Sequence, residues 1–108
     1  MKQSITIPEA AAFLRERDDF LILTHRRPDG DTIGCAAALC GGLRALGKRA
    51  FILENPQFTP KFRPFLDGLT TPSVGEKACI VAVDIASSRL FPLGYETLTG
   101  RTALAIDH

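Results

Sequence analysis

The sequence predicts an α/β domain with a mainly parallel sheet flanked by helices. Two short runs, Phe20–Leu23 and residues 78–83, are apolar throughout instead of alternating, as strands buried on both faces of a parallel sheet require. Between such runs lie stretches of helical spacing or helix-favouring composition, and that alternation marks strands joined by crossover helices. The 108 residues contain no repeat, low-complexity tract or linker, so a single domain holds them all.

The elements follow in order. Pro8-Glu9 after Thr6-Ile7 starts a first helix, whose Ala10, Phe13, Leu14 and Arg17 keep helical spacing until the charged residues 15–19 end it. Phe20–Leu23 is the first strand, and the polar residues 24–31 form a loop. Residues 32–46 make a second helix, with Asp31 as its N-cap and Gly47 as its stop. Its small residues suit close packing on a sheet, and Gly41-Gly42 is read as part of that packing. Residues 49–53 form the second strand, which Asn55-Pro56 stops. Residues 59–66 suggest a short helix broken by Pro64 and ending at Asp67-Gly68. Residues 78–83 are the strongest strand, rich in β-branched side chains and closed by Asp84. A helix or turn over 87–98, interrupted by Pro92 and Gly94, leads to the strand Thr102–Ile106 and then Asp107-His108.

Composition narrows the function classes. With 45% hydrophobic and 23% charged residues the chain matches a soluble globular protein. Thirteen basic against twelve acidic residues leave a formal charge of +1, too little to gather nucleic acid or membrane without a local site. The longest apolar run, 78–83, is about a third of a membrane span. The N-terminus meets Pro8 and Glu9 before any apolar core can form, so it does not read as a signal peptide and a cytoplasmic location is expected. Cys35, Cys40 and Cys79 form no C-x-x-C pair and are read as buried reduced thiols.

Chemistry gathers at the strand ends. His25, Asp29 and Asp31 follow the first strand, Asp84 follows the strand at 78–83, and Asp107 and His108 follow the last. Ligands of open parallel sheets bind at the carboxyl edge, near the point where strand order reverses. Carboxylates crowded there repel one another, and a bound cation is the usual resolution. Carboxylate and imidazole without thiolate suit Mn²⁺ or Mg²⁺, with Zn²⁺ and Fe²⁺ open; Mn²⁺ is favoured. Five or more candidate ligands suggest two ions, about 3.5 to 4 Å apart, able to generate hydroxide and clamp a phosphoryl group. Each residue also has an ordinary reading. Asp29-Gly30 is a common turn, Asp31 a common cap and Asp84 a solvated strand end. Taken together they favour a site, since both histidines of the chain fall in these segments.

Thr-His-Arg-Arg-Pro-Asp-Gly-Asp-Thr-Ile-Gly at 24–34 resembles the first signature of the DHH phosphoesterases. Val83-Asp84 resembles the second signature, and Ile106-Asp107-His108 the opening of the Asp-His-His signature. Order and spacing fit over the whole chain, and the resemblance is strongest to the RecJ-like branch. That branch includes nanoRNases, or oligoribonucleases, which also dephosphorylate 3′-phosphoadenosine 5′-phosphate. The resemblance implies a Rossmann-like three-layer DHH domain over residues 1–108. It implies that His25 and Asp29 bind one Mn²⁺, Asp31 and His108 the second, and that Asp84 bridges both. Asp84, Asp107 and His108 are then the catalytic group, with Asp107 orienting the site. The substrate implied is short single-stranded nucleic acid or a nucleotide, with no membrane partner and with homodimerisation of the complete protein left open. The second His of the signature, a later Asp ligand and the C-terminal DHH-associated substrate domain are absent, so the chain is read as an N-terminal fragment, inactive or weakly active alone. Cys35 stands where the family more often has Ser, and Thr32 where Ala is usual.

Other classes fit less well. In haloacid-dehalogenase phosphatases the nucleophilic Asp follows the strand directly, whereas residues 24–28 intervene here. A receiver domain needs a Lys after a fifth strand, and none remains. A dinucleotide-binding module lacks its Gly-x-Gly-x-x-Gly turn. The strongest alternative outside enzymes is a metal- or nucleotide-binding regulatory module without turnover.

Overall fold

The structure is a computed structural model, and it describes residues 6–24, 28–55, 58–72, 74, 78–83 and 102–106. Helix α1, Ile7–Glu16, opens with a capping box. The Thr6 hydroxyl accepts from Glu9 N at 3.2 Å, and Thr6 N donates to Glu9 Oε1 at 2.9 Å. Two N–H groups that the first turn leaves without helical partners are thereby satisfied. Phe13 and Leu14 of α1 pack against the core.

Strand β1, Phe20–Leu23, is buried along its whole length. Its neighbours are β2, Ala50–Leu53, and β4, Cys79–Val83. The two-residue β3, Thr70–Thr71, flanks β2, and β5, Thr102–Ile106, flanks β4. Every pairing is parallel, and the order is β3-β2-β1-β4-β5. Alternate residues go to opposite faces. Phe20, Ile22, Ile52, Val81 and Val83 join Ile33, Ala36, Cys40 and Leu43 of helix α2, Gly30–Ala45, in one cluster. Leu21, Leu23, Leu53, Ile80 and Ala82 form the other, with Val74 and Ala78 against it. Both faces are buried, as a three-layer α/β domain requires, and each buried Leu or Ile contributes about 1.5–3 kcal/mol of transfer free energy. Among the described residues no helix is long and apolar enough to cross a membrane.

The amino edge of the sheet is stitched by loop residues. Asp19 takes a left-handed conformation at φ 59°, which Asp tolerates better than most residues. Its carbonyl accepts from Cys79 N at 2.8 Å. The Asp18 carboxylate accepts from the backbone N–H groups of Asp19 and Arg49, at 2.7 and 2.8 Å, and these bonds, Arg49's first, lower its pKa.

Several expectations need correction. Helix α2 starts at Gly30, and its N-cap is Asp29, not Asp31. A cap must stand two or three residues before the N–H it serves; Asp29, in extended conformation, reaches Thr32 N. Gly47 does end the helix, with φ 82°. Gly41-Gly42 does not pack: both glycines are exposed, and a Cβ at either would meet nothing within 4 Å. The close contact with the sheet comes instead from Ala36 and Cys40, four residues apart on the inner side of α2. Residues 59–66 contain only a short 3-10 helix, Arg63–Leu66, with Pro64 in its first turn, where a missing N–H costs nothing. Strand β3 has no counterpart among the elements expected from the sequence. Cys40 is buried and Cys79 half-buried, but Cys35 is exposed on the outer side of α2. The expected element over 87–98 lies outside the described residues.

Candidate functional site

Strand order reverses between β1 and β4, since the chain builds outward from β1 to β2 and β3 and then returns to β4 and β5 on the other side. In such a sheet the ligand crevice opens beyond the carboxyl ends of the strands at that reversal. Leu23 pairs with Ala82, and Val83 with Ile106, so β1, β4 and β5 finish close to one level. A register shift between Ile80 and Val81 creates that alignment. Ile80 pairs with Thr102 but Val81 with Leu104, so β5 spends one extra residue there. In the sequence, Asp84 follows Val83 directly, Asp107 follows Ile106, and His25 stands two residues after Leu23.

Of the six candidate residues the structure describes Asp29 and Asp31; His25, Asp84, Asp107 and His108 lie outside the described residues. Asp29 Oδ1 accepts from Thr32 N at 2.9 Å and from the Thr32 hydroxyl at 3.0 Å. These bonds, the backbone N–H first, hold its carboxyl below the usual carboxylate range. Asp31 is exposed in the first turn of α2. Both carboxylates therefore stand at the positive end of the helix dipole. Both capping bonds use Oδ1, which leaves Oδ2 outside the cap. Among the described residues no three His, Cys, Asp or Glu side chains gather around one point.

The carboxyl edge also holds two buried polar side chains that the strand patterns did not single out. Thr24 and Asn55 are both 0% exposed. Asn55 Nδ2 donates to Thr24 Oγ1 at 3.2 Å, joining the chain just past β1 to the chain just past β2. By sequence Thr24 is the first residue of a polar loop and Asn55 a strand stop. Their signal in the sequence is a hydrogen-bonding residue close behind each of two apolar strands. Thr32 is likewise buried, at 2% exposure, under the Asp29 cap. On the other side of that turn, the Phe62 ring lies 3.5 Å from where a Cβ at Gly30 would stand. An open cleft of about 530 Å³ on the β2–β3 connection, lined by Pro60, Arg63, Pro64 and Leu66 among others, includes none of the candidate residues.

Fold and site together define a doubly wound α/β domain with acidic side chains at the N-terminus of the helix that follows its central strand. No family model matches the chain. Over 69 residues, 60% of its length, the chain is 39% identical to the bifunctional oligoribonuclease and PAP phosphatase NrnA of Thermus thermophilus. The match spans 21% of that protein, about a fifth of its length. The likeness is thus to part of a phosphoesterase, which agrees in coarse outline with the DHH resemblance.

Proposed function

We propose that this chain is the metal-binding domain of a two-ion, Mn²⁺-dependent phosphoesterase of the DHH kind, acting on short single-stranded oligonucleotides or nucleotides. The observation that carries the reading is the adjacency of β1, β4 and β5. Three strands that run on into His25, Asp84 and Asp107 in the sequence are parallel neighbours, and they end at one edge beside the carboxylates of α2. The partial likeness to an oligoribonuclease and PAP phosphatase supports the same class.

The donors present suit a hard divalent ion. Asp29 keeps one oxygen outside its cap, and its lowered pKa leaves the carboxylate charged through the neutral range, as a ligand must be. His25 and Asp29 would hold one ion, Asp31 and His108 the second, and Asp84 both. When bound, the ions supply Lewis acidity toward phosphoryl oxygens and lower the pKa of a water molecule. Asp29, fixed at both bonds to Thr32, offers its remaining oxygen in one orientation. Asp107, which follows β5 in the sequence, would orient the site. The test is hydrolysis of a short oligoribonucleotide and of 3′-phosphoadenosine 5′-phosphate with and without Mn²⁺, in the wild type and in Asp84→Asn. Manganese-stimulated turnover that Asp84→Asn removes is expected, because an amide carries no charge to offer two ions. Unchanged Mn²⁺ affinity and turnover in the variant overturn the assignment.

A further inference from the structure

Among the described residues the buried pair Thr24–Asn55 has no counterpart in the capping and packing that explain the rest of the sheet. Among the described residues every other side chain that is 0% exposed is apolar: Ile22, Leu23, Ala36, Cys40, Ile52, Leu53, Ile80 and Val81. A polar group taken out of water gives up hydration that its hydrogen bonds only offset, and replacing hydrogen-bonded partners by apolar groups of the same shape can be neutral or stabilising. Stability alone therefore gives no reason for an amide and a hydroxyl at this place. Their location does. Thr24 is the start of the β1–α2 connection, which ends at buried Pro28 and at Asp29, the α2 cap. One end of that connection is tied by Asn55 Nδ2 to Thr24 Oγ1, and the other by Asp29 Oδ1 to Thr32. In sequence, one candidate ligand adjoins the first tie, His25, and another makes the second, Asp29.

We propose that Asn55 is a positioning residue: through its hydrogen bond to Thr24 it fixes where the chain leaves β1, and so holds the β1–α2 connection in the geometry that binds the metal. The inference rests on the metal-site reading above. Asn55 touches neither substrate nor ion; it acts through Thr24. The bond also couples the end of β2, which carries no candidate ligand, to the site, and this coupling cannot be inferred from the motif at residues 24–34.

The test compares the wild type with Thr24→Val, Thr24→Ser and the double variant Thr24→Val/Asn55→Leu, in the full protein. Two measurements are made on each: Mn²⁺ affinity by calorimetric titration and resistance to urea by circular dichroism. The double variant is expected to keep a cooperative urea transition, while its Mn²⁺ affinity falls roughly 10- to 100-fold, the range found when groups that orient metal ligands are removed. Thr24→Ser, which keeps the hydroxyl, is expected to retain wild-type affinity, and Thr24→Val to lose it. Wild-type affinity in a folded double variant overturns the inference and leaves the metal site standing. Should the double variant not fold, equal affinities of Thr24→Ser and Thr24→Val overturn it in the same way. A wild type with no saturable Mn²⁺ binding overturns the metal-site reading, and this inference with it.

Discussion

Arg44, near the end of α2, makes a sharp test of how the β2 side of the sheet is held. Its Nε donates to Ala50 O at 2.9 Å and its Nη1 to Gly68 O at 3.0 Å, while the guanidinium lies 4.7 Å from the centre of the Phe51 ring. Against these stands Nη2, buried and without a hydrogen-bond partner among the described residues. Arg44→Met keeps most of the apolar stem and removes the guanidinium. Two hydrogen bonds from a charged donor are worth about 3 kcal/mol at the low end of their range, and the ring contact adds about 0.5 kcal/mol. Releasing the orphaned Nη2 returns about 1 to 2 kcal/mol. The expected net loss is about 2 kcal/mol, or about 1 M in urea midpoint for a small domain. Because the chain has no Trp and one Tyr, far-ultraviolet circular dichroism is the suitable signal. Phe51→Leu in the same background should recover a coupling of about 0.5 kcal/mol in a double-mutant cycle. A midpoint for Arg44→Met equal to or above the wild type would refute the reasoning, since the orphaned nitrogen would then cost as much as both bonds contribute.

Two further outcomes are expected. Asp29 is bonded in its charged form, so its folded pKa lies below the unfolded one; the stability it contributes is present above the ordinary carboxylate range and lost as pH falls through the lowered value. Asp29→Asn keeps the capping acceptor without the titration, so a plot of urea midpoint against pH should flatten on its acid side. Superimposable acid limbs would show that the charge adds nothing to the cap. Cys35 is exposed, whereas burial raises the thiol pKa of Cys40 and Cys79. A thiol alkylating reagent should therefore modify Cys35 first by mass spectrometry, and Cys35→Ser should leave Mn²⁺ affinity and hydrolysis intact; loss of metal binding in Cys35→Ser would make the thiol a ligand.

What the sequence disclosed follows from where the determining interactions lie. Phe20–Leu23 and Thr102–Ile106 were legible to the residue, because burial on a parallel sheet imposes apolar runs whose ends are marked by polar residues. Strand β3 was not legible. Two threonines carry no strand pattern, and they become a strand because Ile52 N donates to Leu69 O and Glu54 N to Thr71 O across a connection closed elsewhere. The cap of α2 was misplaced by two residues, since Asp29 and Asp31 are chemically alike and only the backbone turn decides which faces Thr32 N. The residue types of the candidate site were legible in the sequence, but the strand order was not; the structure sets β4 and not β2 beside β5, the strand that Asp107 follows in the sequence. Thr24 and Asn55 were missed for the same reason: burial of a polar side chain depends on which strands become neighbours.

The shortness of β3 has a bearing on how copies of this protein meet one another. Because β3 begins opposite Ile52, the segment Ala50–Phe51 pairs with β1 on its inner side and, among the described strands, with nothing on its outer side. An open rim of this kind invites a strand from another molecule, the first step toward edge-to-edge aggregates. Here the inviting carbonyl, Ala50 O, already accepts from Arg44 Nε and from the Cys40 thiol at 3.4 Å, and a guanidinium covers the neighbouring aromatic ring. Farther along, the two-residue strand is followed at once by exposed Pro72, which has no N–H to give to a newcomer. The rim is thus occupied by a cation at one end and closed by an imino acid at the other, so a strand from a second molecule arriving on this side would find few hydrogen-bonding positions to fill.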